Sequence, residues 1–260
     1  MRSEALWQQA NVTFADPRNA ERLGVTRIAP TLWDAEHDGL ISSWWFIRKQ
    51  QWRIRYRATN QTSAEVMAML TTPGPWSWTS NVYEAETYAF GGTEAMEVAH
   101  ALFHADSKHV LADTHDRNDR KELSVLLLTA MMRAAGLDWF EQGDVWVRIA
   151  ERRSAPSLPG PSSRAALTDA THRLLSADTR PLRDDGGSLA YAEDWFKAFE
   201  DAGNALAALN DRGHLTRGLR DLIAHHALFT WNRHGLAIPA QVSIARGAKD
   251  VIFSDPTTSR

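Results

Sequence analysis

Residues 44–57 read Trp44-Trp45-Phe46-Ile47-Arg48-Lys49-Gln50-Gln51-Trp52-Arg53-Ile54-Arg55-Tyr56-Arg57. From Trp52 onward the residues alternate, with Trp52, Ile54 and Tyr56 on one side and Arg53, Arg55 and Arg57 on the other. A period of two is that of a β-strand, here with one apolar and one cationic face. Side chains two apart on a strand lie roughly 6.5–7 Å from each other. Three guanidinium groups in such a row repel one another unless acids, an anionic ligand or water meet them. The plain reading is a solvated outer strand whose charges discourage aggregation. The functional reading is the cationic wall of a binding site.

The surrounding composition is that of a globular chain: 260 residues, 43% hydrophobic and 23% charged. That length suits one large domain or two small ones. A net charge of −3 argues against nucleic acid as a partner of the whole surface. The chain has no cysteine, which excludes disulfides, thiolate nucleophiles and cysteine-ligated metal centres. The N-terminal residues lack the apolar core of a signal peptide, and no apolar run is long enough to span a membrane. The expectation is a cytoplasmic protein with no membrane partner. Eleven tryptophans are an unusual load, suited to a core or to a groove for a flat or peptide ligand.

Trp44–Tyr56 reads as strand throughout, Asn11–Phe14 also reads as a strand, and so does Asn81–Phe90, which stops at Gly91-Gly92. Thr72–Ser80, rich in proline and glycine, reads as a loop. Ser63–Leu70, Thr93–Ala105 and Lys121–Ala135 carry helical spacing, and Val145–Ile149 alternates like a strand. Residues 151–163 read as a linker by composition. Arg164–Leu175, Ala190–Leu209 and Arg217–Arg233 are helical in pattern, and the segment from Pro239 onward reads as short and partly disordered near its end. The fold class expected is α+β, with a mixed sheet and flanking helices in residues 1–150 and a helical part in 164–260, the two forming separate or continuous domains.

In Tyr83–Phe90, the residues Glu84, Glu86 and Tyr88 would share one strand face. Beside the arginine strand they would form a structural ion-pair ladder, or a site where arginines polarise a carbonyl and Tyr88 moves a proton. His100 and His104 stand one helical turn apart, but Ala101 occupies the place of the zinc-protease glutamate and two ligands are too few, so no metal is expected. His225 and His226 lie on an inward-packing helix with Asn232 and Arg233, where they form a buried polar network or a proton-transfer pocket. No phosphate-binding glycine loop and no nucleophile elbow is present.

As a set, these stretches resemble the C-terminal elimination domain of lantibiotic dehydratases. Trp45-Phe46-Ile47-Arg48 followed by Trp52-Arg53-Ile54-Arg55 is similar to the family's "FIR … RLR" stretch. Tyr83–Gly92 is similar to its "YEPE…GG" segment. Phe103-His104-Ala105-Asp106-Ser107 and Trp231-Asn232-Arg233 match in order. The likeness runs from about Leu6 to about Gly235. Full-length members carry a large domain that glutamylates Ser and Thr from glutamyl-tRNA, for which this chain has no room. Stand-alone members either eliminate glutamate to leave dehydroalanine or join two dehydroalanines into a pyridine ring in thiopeptide biosynthesis. Eliminating members usually place an arginine before the aromatic-Gly-Gly, and here that place is Ala89. The resemblance therefore implies a pyridine synthase working without a cofactor or metal. Its partner would be a leader-bearing, azole-containing, dehydrated precursor peptide, and a homodimer is allowed.

On that resemblance Arg53, Tyr88, His104, His225 and His226 are the catalytic candidates. Arg48, Trp52, Arg55, Trp76, Glu84, Glu86, Phe90, Trp231, Asn232 and Arg233 are the candidates for substrate binding. The alternatives are a glutamate-eliminating lyase and a non-catalytic peptide-binding protein.

Overall fold

The computed structural model describes residues 7–59, 63–70, 72, 74–112, 119–153 and 161–253, with the backbone alone for residues 63 and 161–167. Contacts divide the chain into two compact units, Met1–Ala85 with Phe103–His115, and Glu86–Leu102 with Asp116–Arg260. The division does not fall at residues 151–163, because helices on either side of that segment pack on one another within the second unit. Of that segment, residues 154–160 lie outside the described residues, and the chain is helical again from Pro161.

The first unit begins with β1 (Trp7–Phe14). A helical run follows, in which Asp16 caps the first turn with its side chain. It contains α1 (Ala20–Leu23), a wider π turn at Gly24–Ile28 and α2 (Ala29–His37). Then come β2 (Ile41–Arg48), β3 (Trp52–Ala58), α3 (Ser63–Leu70) and β4 (Trp76–Val82). The sheet runs in the order β2-β3-β1-β4 and is antiparallel at every pairing, not mixed.

The arginine strand β3 is internal rather than an outer strand. Arg53 lies opposite Ile47 and Asn11, Arg55 opposite Trp45 and Gln9, and Arg57 opposite Ser43 and Trp7. Its apolar face, Trp52, Ile54 and Tyr56, is fully buried. Gly24 sits against that face, where a Cβ would come within 2.5 Å of the Trp52 ring.

The strand expected at Asn81–Phe90 ends at Val82, and the stretch expected to be a loop enters β4 at Trp76. Pairing of Trp76, Trp78, Ser80 and Val82 with β1 overrides the local turn signal, and Pro75 falls just ahead of the strand, where proline is tolerated. With β1 and β2 on either side of β3, the Glu84/Glu86/Tyr88 strand beside the arginines does not form.

The long helix α4 (Thr93–Ala112) contributes its residues from Phe103 on to the first unit and its earlier residues to the second. In the first unit it covers the open edge of β2. The His104 Nδ1 lies 2.8 Å from the Trp44 carbonyl oxygen, and the Phe46 N–H donates to Ser107 Oγ at 3.2 Å. Side chains thereby occupy main-chain groups that would otherwise invite another strand.

The second unit continues with α5 (Arg120–Ala134), α6 (Trp139–Glu151), α7 (Pro161–Ser176), α8 (Arg180–Arg183), α9 (Glu193–Asp211), α10 (Leu219–His234) and α11 (Ile238–Phe253). Val145–Ile149, expected as a strand, is helical. Asp138 and Glu141 form a reciprocal capping box that starts α6, and such a box fixes a helix ahead of any short alternation. The segment from Pro239 is likewise helical through Phe253, with Val242, Ala245, Ala248 and Ile252 buried, while residues 254–260 lie outside the described residues. Helices α5 and α9 approach closely at Gly203, where a Cβ would stand 2.3 Å from the Met131 carbonyl oxygen. Helix α10 is buried on most sides.

Candidate active site

In the first unit, the cationic face of the sheet is a boxed cation, not a row of charges in water. Arg55 is buried, and its Nε donates to Gln9 Oε1 at 2.7 Å. Its guanidinium lies 4.2 Å from the Trp45 ring centre and 4.7 Å from that of Tyr83. Aromatic faces attract a cation more strongly when water is excluded. Gln9 is held in turn by donating to Asn11 Oδ1 at 2.9 Å. Arg53 and Arg57 are half-buried.

Arg48 pairs with Glu21 at 2.8 Å and lies 4.9 Å from the Trp52 ring centre, while Trp52 itself is buried. Trp76 is half-buried, with the Arg27 guanidinium 5.8 Å from its ring. His104 has both nitrogens engaged, Nδ1 on the Trp44 backbone and Nε2 3.2 Å from the Glu36 carboxylate. Glu84 is exposed.

In the second unit, a tight turn at Glu86–Gly92 brings several expected residues together. Phe90 N–H donates to Glu86 O at 3.0 Å and Gly92 N–H to Thr87 O at 2.9 Å. Gly91 and Gly92 have φ of +85° and +112°, a region that side chains other than glycine avoid. Gly91 also leaves room for Leu222, which a Cβ would meet at 2.6 Å. The turn thereby sinks Phe90 among His225, His226 and Phe229, with ring centres at 4.7, 4.9 and 5.0 Å. Tyr88 points outward and is 78% exposed. His225 Nε2 lies 3.2 Å from Glu86 Oε2, and the pair remains partly open to water.

His226 is completely buried. Burial, aided by the nearby His225 and the Arg233 charge, pushes its pKa down to about 3, so it is neutral near pH 7. The neighbouring Trp231 is core: it stacks on Trp146 and donates Nε1–H to Ser124 Oγ at 3.1 Å. Arg233 is fully buried and Asn232 half-buried, with Gln241 Nε2 3.5 Å from Asn232 Oδ1.

Sequence reasoning misses Arg217, which holds the turn. Its Nη1 donates to Ala89 O at 3.1 Å, its other terminal nitrogen meets Asp221, and its guanidinium lies 5.9 Å from the Tyr88 ring. The signal available was the i,i+4 spacing of Arg217 and Asp221. Gln9 and Tyr83, which frame Arg55, carry no comparable signal. The Glu86–His225 pair can relay a proton, since a carboxylate within hydrogen-bond reach orients an imidazole. Tyr88 presents a phenol within the same turn. Among the described residues no group of three or more His, Asp or Glu is placed to hold a metal ion. Nor is any helix there long and apolar enough to cross a membrane.

The chain belongs to the family of lantibiotic biosynthesis dehydratase C-terminal domains, whose model matches residues 7–250. Three solved structures share the fold. The tRNA-dependent lantibiotic dehydratase MibB from Microbispora sp. 107891 superposes with a TM-score of 0.65 at 20% identity over 95% of this chain, which spans 28% of MibB. TsrL superposes at 0.63 with 16% identity, covering 94% of this chain and 95% of TsrL. The pyridine synthase TbtD, from thiomuracin biosynthesis, superposes at 0.64 with 15% identity, covering 95% of this chain and 97% of TbtD. No curated protein sequence matches the chain.

Proposed function

We propose that the chain is a thiopeptide pyridine synthase that acts in the cytoplasm on a dehydrated, azole-containing precursor peptide with its leader attached. One dehydroalanine and the preceding amide, as its iminol tautomer, supply a 2-aza-diene, and a second dehydroalanine supplies the alkene. Two carbon–carbon bonds close the ring and the macrocycle. Loss of water and then of the leader as a carboxamide leaves the aromatic pyridine. Holding the two ends of a flexible peptide in register is mainly an entropic task, and orientation of this kind supplies about 7–11 kcal/mol of a barrier.

The observation that carries the reading is the Glu86–Gly92 turn. Ala89 stands where eliminating relatives keep an arginine, while the same turn offers the exposed Tyr88 phenol and the Glu86–His225 pair. Near end-to-end coverage of TbtD supports it further. In this reading Tyr88 favours the iminol by hydrogen bonding, and His225 moves the protons of the two losses. His226, buried and neutral, packs behind it. His104 holds a strand edge. Arg55, Arg48 and Trp52 brace the sheet from within, and half-buried Trp76 is left to meet an azole.

One observation favours the lyase as a second reading. Arg217 brings a guanidinium to the Ala89 carbonyl, near the place of the missing arginine, although Asp221 already engages it. Incubation with a peptide bearing two dehydroalanines, and separately with its glutamyl-ester precursor, tests the choice. The synthase releases a leader carboxamide and a macrocycle from the first. Dehydroalanine formed only from the second would establish the lyase, and binding of both without turnover would leave a peptide-binding protein.

A further inference from the structure

Behind the Tyr88 turn the second unit carries a concentration of arginines that the reaction does not use. Helix α6 presents Asp144, Arg148 and Arg152 one turn apart, Arg217 stands just ahead of α10, and Arg220 and Asp221 lie in the first turn of α10. Arg148 and Arg220 meet Asp144 at 3.1 and 3.2 Å. Arg152 and Arg217 both meet the Asp221 carboxylate, and Arg148 approaches it at 3.7 Å. Four guanidinium groups thus share two carboxylates, an excess of two positive charges in a chain whose net charge is −3. The four arginine side chains remain 25–44% exposed, so their remaining donors are within reach of a ligand.

We infer that this cluster docks an acidic stretch of the peptide substrate, two of whose carboxylates complete the shared network. The inference rests on the reading of the chain as acting on a peptide. Charge complementarity favours this occupant. Two carboxylates neutralise the excess, and the guanidinium fork matches a carboxylate in two-point contact. Alternate side chains of an extended peptide lie roughly 6.5–7 Å apart, close to the roughly 5–6 Å between arginines one helical turn apart. A nucleic acid would need a longer cationic track than four arginines offset by two aspartates. Because Arg217 also grips the Ala89 carbonyl, a segment docked here lies beside the turn that carries Tyr88.

The test is fluorescence anisotropy of a labelled glutamate-rich peptide and its glutamine counterpart on the full chain, at low and high salt. The glutamate peptide is expected to bind about tenfold more tightly at low salt, with the advantage fading as salt rises. Replacing Arg148→Gln together with Arg220→Gln abolishes the advantage, and Arg148→Lys with Arg220→Lys retains most of it. Equal binding of the two peptides, or an advantage that survives the glutamine pair in a variant with an unchanged melting temperature, overturns the inference. Because binding is read without turnover, an acidic preference in a protein that never forms a pyridine would sink the proposed function alone. Cyclisation without that preference would sink the docking surface alone.

Discussion

Tyr88 and His225 are the residues on which chemistry and stability come apart. Tyr88 is exposed, so Tyr88→Phe should leave the melting temperature within about 2 °C of the parent, since surface changes seldom exceed about 0.5 kcal/mol, while turnover falls. His225 is held by Glu86, so His225→Asn should cut turnover by about 10²–10⁴-fold. Glu86→Gln should cut it less, because a neutral amide can still position the imidazole. Turnover unchanged in Glu86→Gln would remove the pair from the mechanism. His226 gives a stability prediction. Unfolded, it takes up a proton near its ordinary value of 6.5, and folded only near 3. Between those values acid favours the unfolded chain, so stability should fall by about 1.4 kcal/mol per pH unit below pH 6.5 from this group alone. Denaturant melts from pH 7 to pH 5 in the parent and in His226→Phe would show it as a shallower slope in the variant.

At the level of elements, two glycines decide local geometry. Gly203→Ala drives a methyl against the Met131 carbonyl where α5 and α9 cross. This should cost about 1–3 kcal/mol, seen as a melting temperature lower by about 2–4 °C per kcal/mol. The arginine strand is legible in sequence because a period of two is a local signal. Its internal position is not, because its neighbours come from Trp7–Phe14 and Ile41–Arg48, and β4, which closes the far side of β1, hides behind a proline-rich prelude. Val145–Ile149 misleads because five alternating residues fit either period, and only the cap at Asp138 separates them. The paired histidines and the Phe90-Gly91-Gly92 turn stand out in the sequence, yet their meeting depends on the left-handed backbone at Gly91 and on Arg217. Single side chains such as Gln9 and Tyr83, which enclose Arg55, leave no trace in spacing.

For the whole molecule, each unit has its own core, one built on a sheet flanked by Trp44, Trp45 and Trp52, the other on helices around Trp146, Trp195 and Trp231. The family match runs through both. The proposed activity of the chain is a single transformation, the closing of a pyridine from two alkenes of one peptide. High-resolution mass spectrometry of a leader-bearing, bis-dehydroalanine peptide after incubation with the protein measures it directly. A macrocycle lighter than the substrate by water and the leader carboxamide is expected, with that carboxamide appearing in equal amount. An unchanged peptide, under conditions where the glutamyl-ester form is converted, would contradict it.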